Sequence, residues 1–128
     1  MIGWVPEASV GVFSLHIRVA NPRDQSRGRE LEVVVDTGST LTKLPGDLLR
    51  ELQIEPQFSA PAVTSDNRTV TRAVGQAWLS LDGRAGIVPV AYSDRGEPVL
   101  LGATTLEILG FMVDPIEQKL VPRLLREK

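Results

Sequence analysis

Val33-Val34-Val35-Asp36-Thr37-Gly38-Ser39 is three β-branched apolar residues running into a carboxylate, with the chain breaking at a glycine immediately after. In a strand Val33 and Val35 share one face and Val34 takes the other, so an unbroken apolar run predicts burial on both faces. A carboxylate at the end of such a strand stands where desolvation is costly, and it must be hydrogen-bonded, neutralised or put to chemical use. The turn after it needs Gly38 for close backbone approach. Taken alone, Asp36 also fits a turn-capping aspartate bonded to nearby amides.

Composition narrows the surroundings of this segment. The chain has 128 residues, enough for one domain with a modest core, and no repeat, low-complexity tract or linker divides residues 1–128. The net charge is −2 with acids and bases interspersed, which argues against nucleic acid or an anionic membrane as partner. There is no cysteine, and His16 is the single histidine, so thiolate and histidine-cluster metal sites are excluded and a Ser-His-Asp triad is disfavoured. Met1 to Leu15 contains Pro6 and Glu7 with no basic leader ahead of an apolar run, so no signal peptide is expected. No stretch reaches the about 20 apolar residues of a membrane span. The expected compartment is the cytoplasm.

Along the chain, short strands dominate. Val10 to Ala20 predicts a strand with Phe13, Leu15, Ile17 and Val19 on one face and His16 on the polar face. Asn21 to Gly28 is polar and breaker-rich and predicts an exposed hairpin loop, from which Arg29 to Asp36 returns as the partner strand. Pro45 suits the first position of a helix over Pro45 to Leu52, whose apolar side is Leu48, Leu49 and Leu52. Ala62 to Val74 is extended about a turn at Ser65-Asp66-Asn67. Gln76 to Leu81 alternates, Asp82-Gly83 is a hairpin turn, and Gly86 to Tyr92 is a strand that Pro89 marks as an edge or a bulge. Val99 to Gly102 is a short buried strand leading to a helix over Ala103 to Leu109 that Gly110 can cap. Phe111 to Val113, the Asp114-Pro115 turn and Lys119 to Val121 make a terminal hairpin. The whole is a mainly β, barrel-like domain with two short helices.

Asp36-Thr37-Gly38-Ser39 after an apolar strand resembles the active-site loop of the retropepsin-like aspartic proteases. Leu100-Leu101-Gly102, with Gly102 standing 66 residues after Asp36 and leading into a helix, matches the apolar-apolar-Gly strand that supports that loop in the family. Ser39 to Pro45, Leu100 to Gly110 and Val113-Asp114-Pro115 look like the small cellular, prokaryotic members. Retroviral enzymes usually place an acidic residue where Thr40 stands and an arginine where Ala103 stands; both are absent here, so no charge of that pair is left unpartnered.

The resemblance implies a closed acid-protease barrel that is half an enzyme. With one Asp-Thr-Gly copy in 128 residues, too few for a two-lobed pepsin, two chains in a C2 homodimer would each lend one Asp36. It implies an aspartic endopeptidase acting on peptide or protein substrates, needing no cofactor and no metal. Thr37 would direct its hydroxyl to the partner's loop, Gly38 would admit the peptide, and Ser39 would donate to the outer carboxylate oxygen. Thr64, Ser65, Asp66 and Asn67 would form a substrate-binding flap, with Leu100, Leu101 and Gly102 as cleft floor. Leu41, Val99 and Ile87 would favour apolar substrate side chains, and Met1 to Pro6 with Lys119 to Leu125 would supply the dimer contact. Two other readings remain open at this level: a dimeric peptide-binding module with this fold and little or no turnover, and a structural barrel in which Asp36 merely caps its turn.

Overall fold

The periodicities that predict strands do form strands, and they close on one another. The computed structural model describes residues 13–127. In order the elements are β1 (Ser14–Asn21), β2 (Asp24–Val35), β3 (Thr42–Pro45), α1 (Gly46–Glu51), β4 (Phe58–Val63), β5 (Thr69–Leu81), β6 (Arg84–Ser93), β7 (Leu100–Leu101), α2 (Ala103–Leu109), β8 (Phe111–Asp114) and β9 (Lys119–Pro122). The main sheet runs β1-β2-β7-β3-β6-β5-β4, and an additional β1–β5 pairing returns it to its start. Six strands therefore form a closed barrel, and β4 hangs outside it on β5 alone.

The inward residues are those that period two assigns. Ile17, Val19, Val33, Val35, Leu44, Ala77, Leu79, Val88, Val90 and Leu101 are each at most 1% exposed and fill the barrel. Helix α1 adds Leu49, and α2 adds Leu106 and Leu109, to the same cluster. His16 is exposed, 3.7 Å from Glu32 across the β1–β2 ladder, as its place on the polar face predicts. Among the described residues no helix is long and apolar enough to cross a membrane.

Turn chemistry accounts for the connections. Asp82 and Gly83 take φ of 49° and 83°, the two left-handed conformations that a tight β5–β6 hairpin requires. Gly110 caps α2 at φ 78°. The Asp114 carboxylate accepts the Ile116 and Glu117 amides and turns the chain from β8 to β9. Pro89 pairs with Gln76 of β5, whereas β3 joins β6 only from Val90 onward, so Pro89 sits where one edge of its strand lacks a neighbour.

Four expectations need correction. The polar stretch 21–28 is no open loop: β2 begins at Asp24, and the ladder slips so that Asn21 faces Asp24 while Ala20 faces Gly28. Helix α1 starts at Gly46, with Pro45 as its N-cap and last residue of β3, because Thr42 to Pro45 pairs in parallel with β6 and holds Pro45 extended. That strand is too short and too mixed in polarity to show a period. The flap hairpin extends back to Phe58, and β5 runs unbroken through Gly75, where an added Cβ would lie 2.9 Å from the Tyr92 hydroxyl. Val10 to Val12 and Met1 to Pro6 lie outside the described residues.

Candidate active site

Strand β2 delivers Asp36 to the end of the barrel, and the neighbouring strand β7 fixes its backbone. Val34 and Val35 pair in parallel with Leu100 and Leu101, and the Asp36 amide donates to the Leu101 carbonyl at 2.9 Å. The chain then turns sharply, with the Ser39 amide donating to the Asp36 carbonyl at 3.1 Å and the Gly38 amide to Asp36 Oδ1 at 2.9 Å. A Cβ on Gly38 would stand 3.2 Å from that same oxygen. The Gly38 bond is common to a turn cap and to a catalytic carboxylate. What differs is the second oxygen: Asp36 is half-exposed on the cleft, and Oδ2 takes no hydrogen bond from the described residues.

Helix α2 braces this loop from beneath. The first amides of a helix lack intrahelical partners; here Ala103 and Thr104 donate theirs to the carbonyls of Ser39 and Thr40 at 2.8 and 3.0 Å. Gly102 lets the two backbones touch, since a Cβ there would lie 2.4 Å from the Leu41 carbonyl carbon and oxygen. Its amide donates to Thr42 Oγ1 at 3.0 Å, and that hydroxyl is 2.6 Å from Thr105 Oγ1, both threonines being wholly buried. These bonds tie loop to helix at the place where the viral acid–arginine pair is missing. Thr42 and Thr105 carry no signal in a single sequence, because a buried hydroxyl pair looks like any two threonines.

The hairpin β4–β5 faces this loop across a cleft of about 1060 Å³. Its pairing runs from Phe58 opposite Val74 to Val63 opposite Thr69, while β6 covers β5 only from Val74 onward. The portion beyond Val74 is therefore a two-stranded ribbon projecting from the barrel, an arrangement of marginal independent stability. Asp36, Gly38, Ser39, Thr64, Ser65 and Asp66 all line the cleft. Asn67 does not; it supplies the turn, at φ 64°. Thr37 is exposed at the loop's apex and is not part of the lining.

Several site expectations change in detail. Ser39 Oγ donates to the Leu41 carbonyl at 2.8 Å, not to the carboxylate, so it stiffens the loop and leaves Asp36 Oδ2 without a partner among the described residues. Of the expected floor, Leu100 lines the cleft, whereas Leu101 and Gly102 are buried behind the loop as its support. Leu41 lines the cleft, but Val99 packs on the core and Ile87 is exposed on β6 away from the lining.

One constellation in the cleft wall has no counterpart among the motifs of the sequence. Arg72, only 7% exposed, makes two parallel hydrogen bonds to the Glu97 carboxylate at 2.6 and 2.5 Å. Glu97 also accepts the Asp94 amide at 2.6 Å and lies 4.0 Å from Lys43 Nζ. The Arg72 bonds hold the Glu97 carboxyl at about 2, against the opposing pull of burial. The only hint available beforehand is an arginine at an inward-facing position of an alternating strand.

A family model described as aspartyl protease matches residues 25–105. No curated protein sequence matches the chain. Among solved structures, the solution structure of the simian foamy virus (mac) protease superposes with a TM-score of 0.54 at 18% identity, over 76% of this chain and 94% of that one. The crystal structure of a retropepsin-like aspartic protease from Rickettsia conorii has a TM-score of 0.48 at 17% identity, over 80% and 87% of the two chains. At these identities the likeness is one of fold.

Proposed function

Because the chain belongs to the aspartyl protease family, we propose that it is a homodimeric endopeptidase whose catalytic groups are two Asp36 carboxyls, one from each protomer. The observation that carries this reading is Asp36 itself: it ends a buried strand, opens on the cleft beneath the β4–β5 hairpin, and keeps one oxygen without a partner among the described residues. The other carboxylates of the lining are engaged, Asp66 with Arg68 and Glu97 with Arg72. A second free carboxyl must then come from another copy, and a two-fold axis brings the same residue to meet itself.

Two carboxyls about 3 Å apart cannot both ionise, so the pair holds one proton and titrates as a unit. The ionised member removes a proton from a water between them as that water attacks the scissile carbonyl carbon. The protonated member gives its proton to the carbonyl oxygen, forming a neutral gem-diol, which collapses with proton transfer to the amine as the C–N bond breaks. Thr37, exposed at the apex, has its hydroxyl available to the partner's loop. The β4–β5 ribbon from Phe58 to Val74 would pair with the peptide backbone, exclude water and close over it. The segment after β9, where Leu124 and Leu125 are 86% and 81% exposed, offers apolar surface to the second protomer.

The test is Asp36→Asn, assayed for peptide cleavage beside sedimentation of both proteins. Cleavage falls to background while the dimer persists. Turnover by the variant at the wild-type rate, or a strictly monomeric wild type at micromolar concentration, overturns the reading. Tight peptide binding with no cleavage by wild type at any pH favours a binding module instead.

A further inference from the structure

The cleft lining holds three carboxylates, Asp36, Asp66 and Glu97, and three cations, Lys43, Arg68 and Arg72, but they are not all bonded in pairs. Glu97 and Arg72 neutralise one another through two short bonds, and Asp66 and Arg68 pair at the hairpin tip at 2.8 Å. Lys43 is left over. Its side chain is 17% exposed, and among the described residues its one ionic contact is Glu97 at 4.0 Å, beyond hydrogen-bonding distance. An ammonium has three donors, and none of these three meets an acceptor within bonding reach among the described residues.

Its position gives that unbonded ammonium a function. Lys43 stands on β3 opposite Leu100 of β7 on one side and Ala91 of β6 on the other, and all three line the cleft. Leu100 is in turn the parallel partner of Val34, two residues before Asp36. The ammonium is thus in a wall of the cleft onto which Asp36 opens. An extended peptide held between hairpin and loop sends alternate side chains toward that wall. Glu97 is a poor receptor for a basic side chain, because Arg72 and the Asp94 amide already fill three of its roughly four acceptor positions. Lys43 is an open receptor for an acidic one.

We propose that Lys43 is a specificity-determining residue, forming with Leu100, Ala91 and the Arg72–Glu97 pair a subsite for an aspartate or glutamate side chain next to the scissile bond. This inference rests on the proteolytic reading of the cleft. A C2 dimer presents the subsite twice, once on each side of the cleaved peptide. Arg72 has a positioning role: it holds Glu97 so that the carboxylate cannot swing onto Lys43 and quench it. The choice is one of substrate, apart from the chemistry at Asp36.

The experiment exposes wild type, Lys43→Met, Lys43→Arg and Lys43→Glu to a mixture of peptides carrying glutamate, glutamine or lysine at each position around a central bond, with products read by mass spectrometry. Wild type cleaves glutamate peptides with kcat/KM at least about tenfold above their glutamine analogues at one or more positions, because a charge-assisted bond in a largely buried wall discriminates at that scale. Lys43→Met brings that ratio to about one, Lys43→Arg restores most of it, and Lys43→Glu shifts preference to lysine. Cleavage with no glutamate preference in wild type, or a preference that Lys43→Met retains, overturns the subsite and leaves the protease reading intact. Binding of the same peptides to Asp36→Asn separates the two ideas: Lys43-dependent selection of glutamate without cleavage by wild type keeps the subsite and removes proteolysis. Absence of both binding and cleavage overturns both.

Discussion

The Asp36 loop and the tip of the β4–β5 hairpin face each other across one cleft, yet they are held in opposite ways. The loop is fixed by partners sixty or more residues away in sequence: Leu101 accepts from Asp36, Ala103 and Thr104 donate to Ser39 and Thr40, and Gly102 donates to Thr42. The tip is fixed by itself. Thr64 and Arg68 share a backbone bond, the Asn67 amide donates to Thr64, and Asp66 accepts from the Thr64 hydroxyl and the Arg68 guanidinium, all within four residues. Long-range bonds couple a segment to global unfolding, whereas local bonds let a segment move as a unit without disturbing the barrel. In the proposed dimer, a carboxyl that meets its twin needs the first arrangement, and a cover that opens for a peptide needs the second.

The largest effect should come from breaking the long-range brace. Gly102→Ala places a methyl 2.4 Å from the Leu41 backbone, and no flexible side chain stands there to yield. We expect a loss of about 3 kcal/mol, typical of severe overpacking, and a fall in Tm on the order of 10 °C. Gly83→Ala is the control. Its Cβ meets nothing within 4 Å, so only the positive φ is penalised, and about 1 kcal/mol should go. Equal losses in the two variants, measured by urea unfolding, would show that contact with the Leu41 backbone does not govern the brace.

These two regions also differ in how far they are legible in sequence. The loop and its support can be read because each rests on a residue type with few alternatives: an aspartate ending a valine run, a glycine at a strand-to-helix step, a glycine at a helix end. The bounds of α2 at Ala103 and Leu109 follow from those markers. The hairpin is legible only at its turn, since Phe58 to Pro61 pairs outside the barrel with no buried face to impose a period. Strand β3 escapes because its four residues owe their extension to β6 and β7, not to local preference. Resemblance alone assigns Ser39 to the carboxylate, whereas the Leu41 carbonyl accepts its hydrogen bond. The Arg72–Glu97 pair joins residues 25 apart whose meeting depends on the barrel's closure. Composition shows both charges and says nothing about their contact.

That pair supplies the middle-sized effect, and it should depend on pH. Arg72 holds the Glu97 carboxyl at about 2, below its ordinary 4.5. Stability from this depression is therefore present in full above about 4.5 and is lost as pH falls toward 2. Each tenfold gain in acidity corresponds to about 1.4 kcal/mol; allowing for solvent along the outer edge of a side chain that is 24% exposed, about 2–3 kcal/mol is expected at pH 7. Glu97→Gln should lose that amount at neutral pH and roughly half of it at pH 3. A gap between wild type and variant that stays constant from pH 7 to pH 3 would mean that packing, not charge, makes the contribution.

The smallest effect on stability should come from the tip, where the comparison is sharpest. Thr64 first, and Arg68 after it, hold the Asp66 carboxyl below the usual range, but the group is fully exposed and its partners are its near neighbours. Asp66→Ala should leave the global unfolding midpoint where it is, while the Thr64 and Asn67 amides exchange faster with solvent because their turn opens more often. In the protease reading KM should rise more than kcat, since a looser cover weakens peptide binding without touching the Asp36 loop. A drop in Tm approaching that of Gly102→Ala would break the distinction, for it would mean that the hairpin tip is wired to the barrel after all and closes as part of one rigid body.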